Sequence, residues 1–287
     1  MDSGSITDFT PVGRNRPAVA TMDSAERAQE SAKNLTSLLG FRLWIAALAG
    51  VTVVFALQPL YPGSIGPLSN ILPTACALSA FLCSLSCLRR YGFSGRLDFG
   101  AIWLLLALGT GMWVVAESTW AVYYFVVHVE LPYPSLADVF YAGGYLPIIA
   151  GLVGYLDTFH VALSRRRVGY ALFGIAAAVV LALLLVLPVE LGQNLSSINL
   201  LTDMLYPVLD LALLSLAVLS LAIFAGGRIA TWWVLFGAGA TLYVIADEFF
   251  LYQVANGTYY NGSVDDLIFL LGYLTFAMAF YAHGKEF

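Results

Sequence analysis

From Leu43 onward the chain is a succession of eight apolar stretches, and this pattern constrains it more than any other feature. They run Leu43–Leu60, Ile71–Leu88, Phe99–Val127, Leu136–Leu156, Val168–Val189, Asn199–Ala225, Thr231–Val254 and Leu267–Ala282. Most reach the length of about 20 apolar residues that a helix needs to cross a bilayer. The second is short and holds Pro73, and the third is long enough to tilt. Only 11% of residues are charged and 60% are hydrophobic, whereas a water-soluble domain carries about 25% charged residues. Too few charges remain to build a wetted surface, so the expected fold is an all-α polytopic bundle of eight transmembrane helices.

The basic residues set the orientation. Arg14, Arg16, Arg27, Lys33 and Arg42 precede or open the first stretch. Arg89, Arg90 and Arg96 lie in the second loop, Arg165, Arg166 and Arg167 in the fourth, Arg228 in the sixth, and Lys285 after the last stretch. All 13 therefore fall on one side of an eight-helix path, the side that the positive-inside rule makes cytoplasmic. A path of seven or nine helices would break this alternation. The expectation is a cell-membrane protein with both termini in the cytoplasm. Residues 1–38 form a polar cytoplasmic segment without the apolar h-region of a cleavable signal, and Ser24–Leu39 suits a helix. Residues 39–287 form the transmembrane domain.

The acids are placed differently. Ten of 18 lie in the outer loops or on the helices, mostly in their outer halves: Glu117, Glu130, Asp138, Glu190, Asp203, Asp210, Asp247, Glu248, Asp265 and Asp266. Glu117, Asp210, Asp247 and Glu248 are the deepest. A carboxylate in the bilayer costs several kcal/mol unless it faces the bundle interior, is protonated or finds a partner.

The chain also resembles itself. "GTGMWVVAESTW" from Gly109 aligns with "GAGATLYVIADEFF" so that Gly239 matches Gly109, Tyr243 matches Trp113, Asp247 matches Glu117 and Phe250 matches Trp120. "PSLADVFYAGGY" then aligns with "GSVDDLIFLLGY", pairing Ser135 with Ser263, Asp138 with Asp266, Gly144 with Gly272 and Tyr145 with Tyr273. Upstream, "LSNILPT" faintly matches "LTDMLYP" and pairs Asn70 with Asp203, and Arg42 and Arg167 both open helices. A four-plus-four duplication accounts for this, with halves of about 39–160 and 161–287. Even helix counts give the halves the same orientation, related by an axis along the membrane normal.

Trp113, Glu117, Trp120 and Tyr124 are spaced to share one helix face, and Tyr243, Asp247 and Phe250 repeat the arrangement. A carboxylate between aromatic rings suits an organic cation or a protonatable ligand. Acids can equally serve as glue between helices. Asp203, Tyr206 and Asp210 surround Pro207, which frees a backbone carbonyl, so this segment either binds a cation or simply bends the helix. Ser135-x-x-Asp138 and Ser263-x-x-Asp266 read first as capping boxes at helix starts. The ligand-binding candidates are Glu117, Asp247, Glu248, Asp210, Asp203, Trp113, Trp120 and Tyr243, in an outward-facing pocket between the third, sixth and seventh stretches.

Other chemistries find no support. A net charge of −5 does not suit nucleic acid. Cys76, Cys83 and Cys87 have helical spacing fit for small apolar packing positions. His128 lies at the outer end of the third stretch while His160 and His283 are cytoplasmic, which argues against bis-histidine haem within the bundle. HExxH and GxSxG are absent, and no lysine lies between Lys33 and Lys285 to form a retinal Schiff base. No catalytic residue, metal or cofactor is expected, and the chain is not expected to be an enzyme. Asn194, Asn256 and Asn261 open acceptor sequons in the outer loops, the last two in a turn-rich segment.

"PSLADVFYAGGYLPIIAGL" from Pro134, "DDLIFLLGYLTFAMAFYAH" from Asp265 and the preceding "YVIADEFF" resemble elements of membrane-embedded sensory input regions. Such regions precede diguanylate cyclase, PAS and histidine-kinase modules in bacteria and methanogenic archaea. The resemblance spans Gly109 to His283. It implies detection of a small or lipid-soluble signal, or of membrane state. With Phe287 ending the chain, it implies a stand-alone sensory or ligand-binding protein that acts on a separate signalling partner. A proton- or cation-coupled transporter is the alternative, from the parallel repeats and unpaired acids. A structural or assembly subunit of a membrane complex is the third.

Overall fold

A computed structural model of the protein describes residues 24–92, 99–129, 133–158, 169, 176, 197–224 and 230–286. The chain divides into two compact units, residues 1–36 and 37–287, and the packing described below is that of the second. The fifth apolar stretch, Val168–Val189, lies outside the described residues, as do Glu130, Glu190, Asn194 and the arginines at 96, 165–167 and 228.

Among the described residues all regular structure is helical. The helices are α1 (Ser24–Ala56), α2 (Pro62–Tyr91), α3 (Phe99–Val122), α4 (Leu136–Thr158), α5 (Ser197–Phe224), α6 (Ala230–Ala255) and α7 (Val264–Glu286). Each contains a stretch long and apolar enough to span a bilayer. This is the build of a multi-pass membrane protein. Large apolar side chains such as Leu43, Leu108, Leu146 and Val208 project outward, and lipid contact is what keeps such a surface from aggregating.

Two boundaries differ from expectation. The segment Ser24–Leu39 and the first apolar stretch join into the single helix α1. The second stretch extends back to Pro62, because a proline at the first helical position gives up an N–H that has no partner there anyway. Helix α2 accommodates Pro67 and Pro73 in its interior, as membrane helices do when neighbours satisfy the freed groups. It stops at Gly92, whose φ of 71° ends the helix, with Arg89 and Arg90 in the final turn. At the other end of α3, Tyr123–Val127 forms one wide turn, closed by His128 in the left-handed region with φ 55°.

Helix α4 begins as Ser135-x-x-Asp138 predicts. The Ser135 hydroxyl accepts the N–H of Ala137 at 3.1 Å, and Asp138 Oδ2 accepts the Ser135 N–H at 2.5 Å. The second box is displaced by one residue. Asp266 Oδ2 takes the N–H of Gly262 at 2.6 Å, and the Ser263 hydroxyl turns to Asp265. Gly262 has φ 97°, and a Cβ there would collide with Ile65, so the turn requires glycine.

The packing closes on itself. α2 contacts α3, α3 contacts α4, α4 contacts α5, α5 contacts α6, α6 contacts α7, and α7 contacts α2. Among the described residues these six helices form a ring, while the Leu38–Ala56 part of α1 lies outside it with most of its surface exposed. Two helix pairs approach through glycine. A Cβ on Gly109 would lie 2.5 Å from the carbonyl oxygen of Gly144, so α3 and α4 touch backbone to backbone. Gly239 and Gly272 play the same part between α6 and α7, with more room.

Aromatic side chains fill the ring. Trp113 lies flat on Tyr243, with centroids 4.7 Å apart and planes 8° from parallel. Phe276, Phe236 and Phe280 continue the column, which ends in a cluster of Trp103, Trp232, Tyr155 and His283. Cys76 and Cys87 are buried as apolar packing residues, and the Cys87 thiol donates to the Phe280 carbonyl at 3.2 Å.

Candidate functional site

The aromatic column stops short of one end of the ring, the end carrying residues 57–61, 128–129, 133–135 and 256–263. A cavity of about 70 Å³ occupies that space. Its acid walls are Glu117 from α3, Asp138 from α4, Asp247 from α6 and Asp266 from α7. Aromatic rings stand between them, among them Trp120, Tyr243 and Phe250. Among the described residues no Lys, Arg or His lines it.

Every one of these acids is held by hydroxyl donors. Tyr273 donates to Glu117 Oε1 at 2.7 Å and is itself 2.9 Å from the Tyr243 hydroxyl. Tyr145 reaches Asp247 Oδ2 at 2.9 Å and also Asp210 Oδ1. Tyr206 donates to Asp138 Oδ1 at 2.8 Å. Tyr259 donates to Asp266 Oδ1 at 3.2 Å. Burial, and then the Asp266 carboxyl beside it, push the Tyr259 phenol well above its ordinary pKa, which keeps it a donor. With hydroxyls rather than cations as partners, the acids are hydrogen-bonded while no charge is neutralised by an ion pair at the cavity wall.

Helical spacing explains the placement. Glu117 and Trp120 are one turn apart on α3, and Asp247 and Phe250 are one turn apart on α6. Of the eight residues predicted from sequence, the structure brings Glu117, Asp247, Trp120 and Tyr243 to the cavity. Trp113 lies one turn deeper, stacked on Tyr243, and its indole N–H donates to the Tyr141 carbonyl at 3.1 Å. Asp210 is buried behind Asp247. Glu248 is half-buried on α6 beside that pair. Asp203 accepts from Tyr133. Asp203, Tyr206 and Asp210 thus turn to three different partners and do not converge on one cation. Among the described residues no three His, Cys, Asp or Glu side chains are grouped to hold a metal ion.

The cavity is wider in origin than the expected cleft between the third, sixth and seventh stretches, which correspond to α3, α5 and α6. Helix α2 contributes Ser69 and Asn70, and α7 contributes Asp266 and Phe269. Asn70 Nδ2 bonds Asn261 Oδ1 at 3.2 Å, tying α2 to the turn before α7. Sequence reasoning missed Tyr141, Phe269 and Tyr259. The first two were detectable, because each lies three residues after a matched acid, Asp138 or Asp266, and therefore on the same helix face. Tyr259 sits in a connection with no periodicity to place it.

No family model, curated protein or solved structure matches the chain.

Proposed function

We propose that this chain is a membrane-embedded ligand-binding protein of the sensory kind, with the acid- and aromatic-lined cavity as its receiving site. The observation that carries this is the meeting of four carboxyl groups from four helices around one cavity with no base among its described walls. Acids that serve only to join helices would be enclosed by them, and here each keeps a side toward open space. The resemblance of the Gly109–His283 region to sensory input regions points the same way.

The full architecture in this proposal has eight transmembrane helices, with Val168–Val189 supplying the one not described. Both termini are cytoplasmic, and the cavity faces outward. A duplication of four helices supports the arrangement. The matched residues Trp113 and Tyr243 stack on each other at the centre. The pairs Trp113–Tyr145 and Tyr243–Tyr273 have nearly the same geometry, 5.4 Å and 72° against 5.3 Å and 74°. Each half's tyrosine bonds the other half's acid, Tyr145 to Asp247 and Tyr273 to Glu117. In the ring, each helix stands opposite the one it matches.

Thermal-shift and fluorescence measurements on the purified protein in lipid nanodiscs, across small ligands and pH, test the site. A response present in the native protein should vanish in Glu117→Gln and Asp247→Asn and persist in Asp157→Asn, an exposed acid at the far end. Normal responses in both cavity variants would remove the site. Single cysteines placed at Asn256 and Lys285 should label from opposite sides of intact cells, and labelling from one side would remove the topology.

A coupled transporter is the second reading, favoured by the paired buried acids Asp210 and Asp247. Liposomes that show no ion-driven uptake or proton flux would count against it.

A further inference from the structure

Behind the cavity wall, Asp210 on α5 is 1% exposed. Its Oδ1 accepts from the Tyr145 hydroxyl, and its Oδ2 has no hydrogen-bond partner among the described residues. The same Tyr145 hydroxyl lies 2.9 Å from Asp247 Oδ2. A phenol has one proton and cannot donate to both carboxyls. Both carboxyls lie against this one hydroxyl, so they are close neighbours. The other titratable groups around them are Glu248 and Tyr243 on α6, with Tyr206 on α5 and Tyr133 before α4 further out. Beyond Tyr243 stand Glu117 on α3 and Tyr273 on α7. None of these is a base. One proton held by the Asp210–Asp247 pair relieves the hydroxyl of a second acceptor, and it lets a carboxyl oxygen donate where Oδ2 of Asp210 has no donor to accept from. It also avoids two adjacent negative charges in a low-dielectric site.

Asp247 forms part of both this pair and the cavity wall, so the shared proton is in contact with whatever the cavity holds. At about 70 Å³ the cavity has room for a few water molecules or one small head group, since a water needs ~10–15 Å³ on this scale. The walls combine carboxyls with the aromatic rings of Trp120 and Phe250, and no three acids are grouped to coordinate a metal among the described residues. That chemistry suits a compact organic ammonium, whose diffuse charge is held by rings and carboxyls together.

We propose that the cavity takes a small organic ammonium ion in exchange for the single proton held between Asp210 and Asp247. The inference rests on the cavity being a ligand site. The ammonium keeps its own protons. The proton leaves Asp247 into cavity water, so one positive charge enters and one departs.

The test uses the purified full chain in lipid nanodiscs, titrated with methylammonium and tetramethylammonium chloride. Tryptophan fluorescence reads binding, a weakly buffered indicator dye reads proton release, and infrared difference spectroscopy reads the carbonyl band of a protonated carboxyl. Expected are about one proton released per cation bound, loss of that band, and affinity rising about tenfold per pH unit while the pair holds its proton. Asp210→Asn should still bind the cation, with no proton release and no such pH dependence. Asp247→Asn should lose binding. Binding by the native protein without proton release would overturn the exchange and leave the ligand site standing. No binding of either cation at any pH would overturn the proposal, and an empty response to the wider ligand screen would take the site with it.

Discussion

The Tyr273 hydroxyl on α7 donates to Glu117 Oε1 on α3 across the ring at 2.7 Å. Removing it should leave a buried carboxyl short of a donor, which costs about 1–3 kcal/mol. Tyr273→Phe should lower the Tm of the detergent-solubilised protein by several degrees. Tyr145→Phe should lower it further, because that hydroxyl stands between two carboxyls, Asp210 and Asp247, and its loss leaves them facing each other. Equal or absent effects would show that these bonds do not hold the ring together.

The α3–α4 contact predicts a sharp contrast between glycines. A methyl at Gly109 would lie 2.5 Å from a backbone oxygen, which cannot rotate away, while one at Gly237 meets nothing within 4 Å. Gly109→Ala should destabilise by about 1–3 kcal/mol through overpacking. Gly237→Ala should be neutral or slightly stabilising. Thermal unfolding of the two side by side decides it.

Asp138 caps a helix and lines the cavity, so its two oxygens can be separated by mutation. Asp138→Ala should cost about 1 kcal/mol by analogy with other lost caps. Asp138→Asn, whose side-chain oxygen still accepts from the Ser135 N–H, should keep most of that stability while changing the charge at the cavity. If both variants melted alike, the capping account would fail.

Tyr259 lies outside the membrane-spanning segments, and its phenol is held above its ordinary pKa by burial and by Asp266. The unfolded chain therefore releases this proton first as pH rises. The stability Tyr259 contributes is complete below about pH 10, its unfolded value, and is lost above it. Tyr259→Phe should flatten the fall of Tm on the alkaline side. An unchanged alkaline slope would refute this.

Much of the architecture was legible because the bilayer forces local order. Every span satisfies its own backbone, so stretch lengths located α3 to α7 to within a few residues. The start of α2 was not legible, because Pro62, Gly63, Gly66 and Pro67 are poor helix formers on propensity alone, and only the structure shows the helix beginning on a proline. Spacing found Glu117, Trp120, Asp247 and Phe250, which need only one helix each. It could not tell that Trp113 would be covered by Tyr243, or that Asp210 would sit behind Asp247, since both depend on how separate helices meet. The displaced box at Asp266 has the same cause: Gly262 offers its N–H only in the folded turn.

The aromatic column has a mechanical consequence. Trp113, Tyr243, Phe276 and Phe236 are almost fully buried and occupy the middle of the ring, so among the described residues large rings fill this part of the bundle. A close-packed interior of large rings rearranges between discrete packings and does not deform smoothly. In the sensory reading proposed above, an event in the cavity would reach the Tyr155–His283 end as a tilt or rotation of whole helices, transmitted ring by ring.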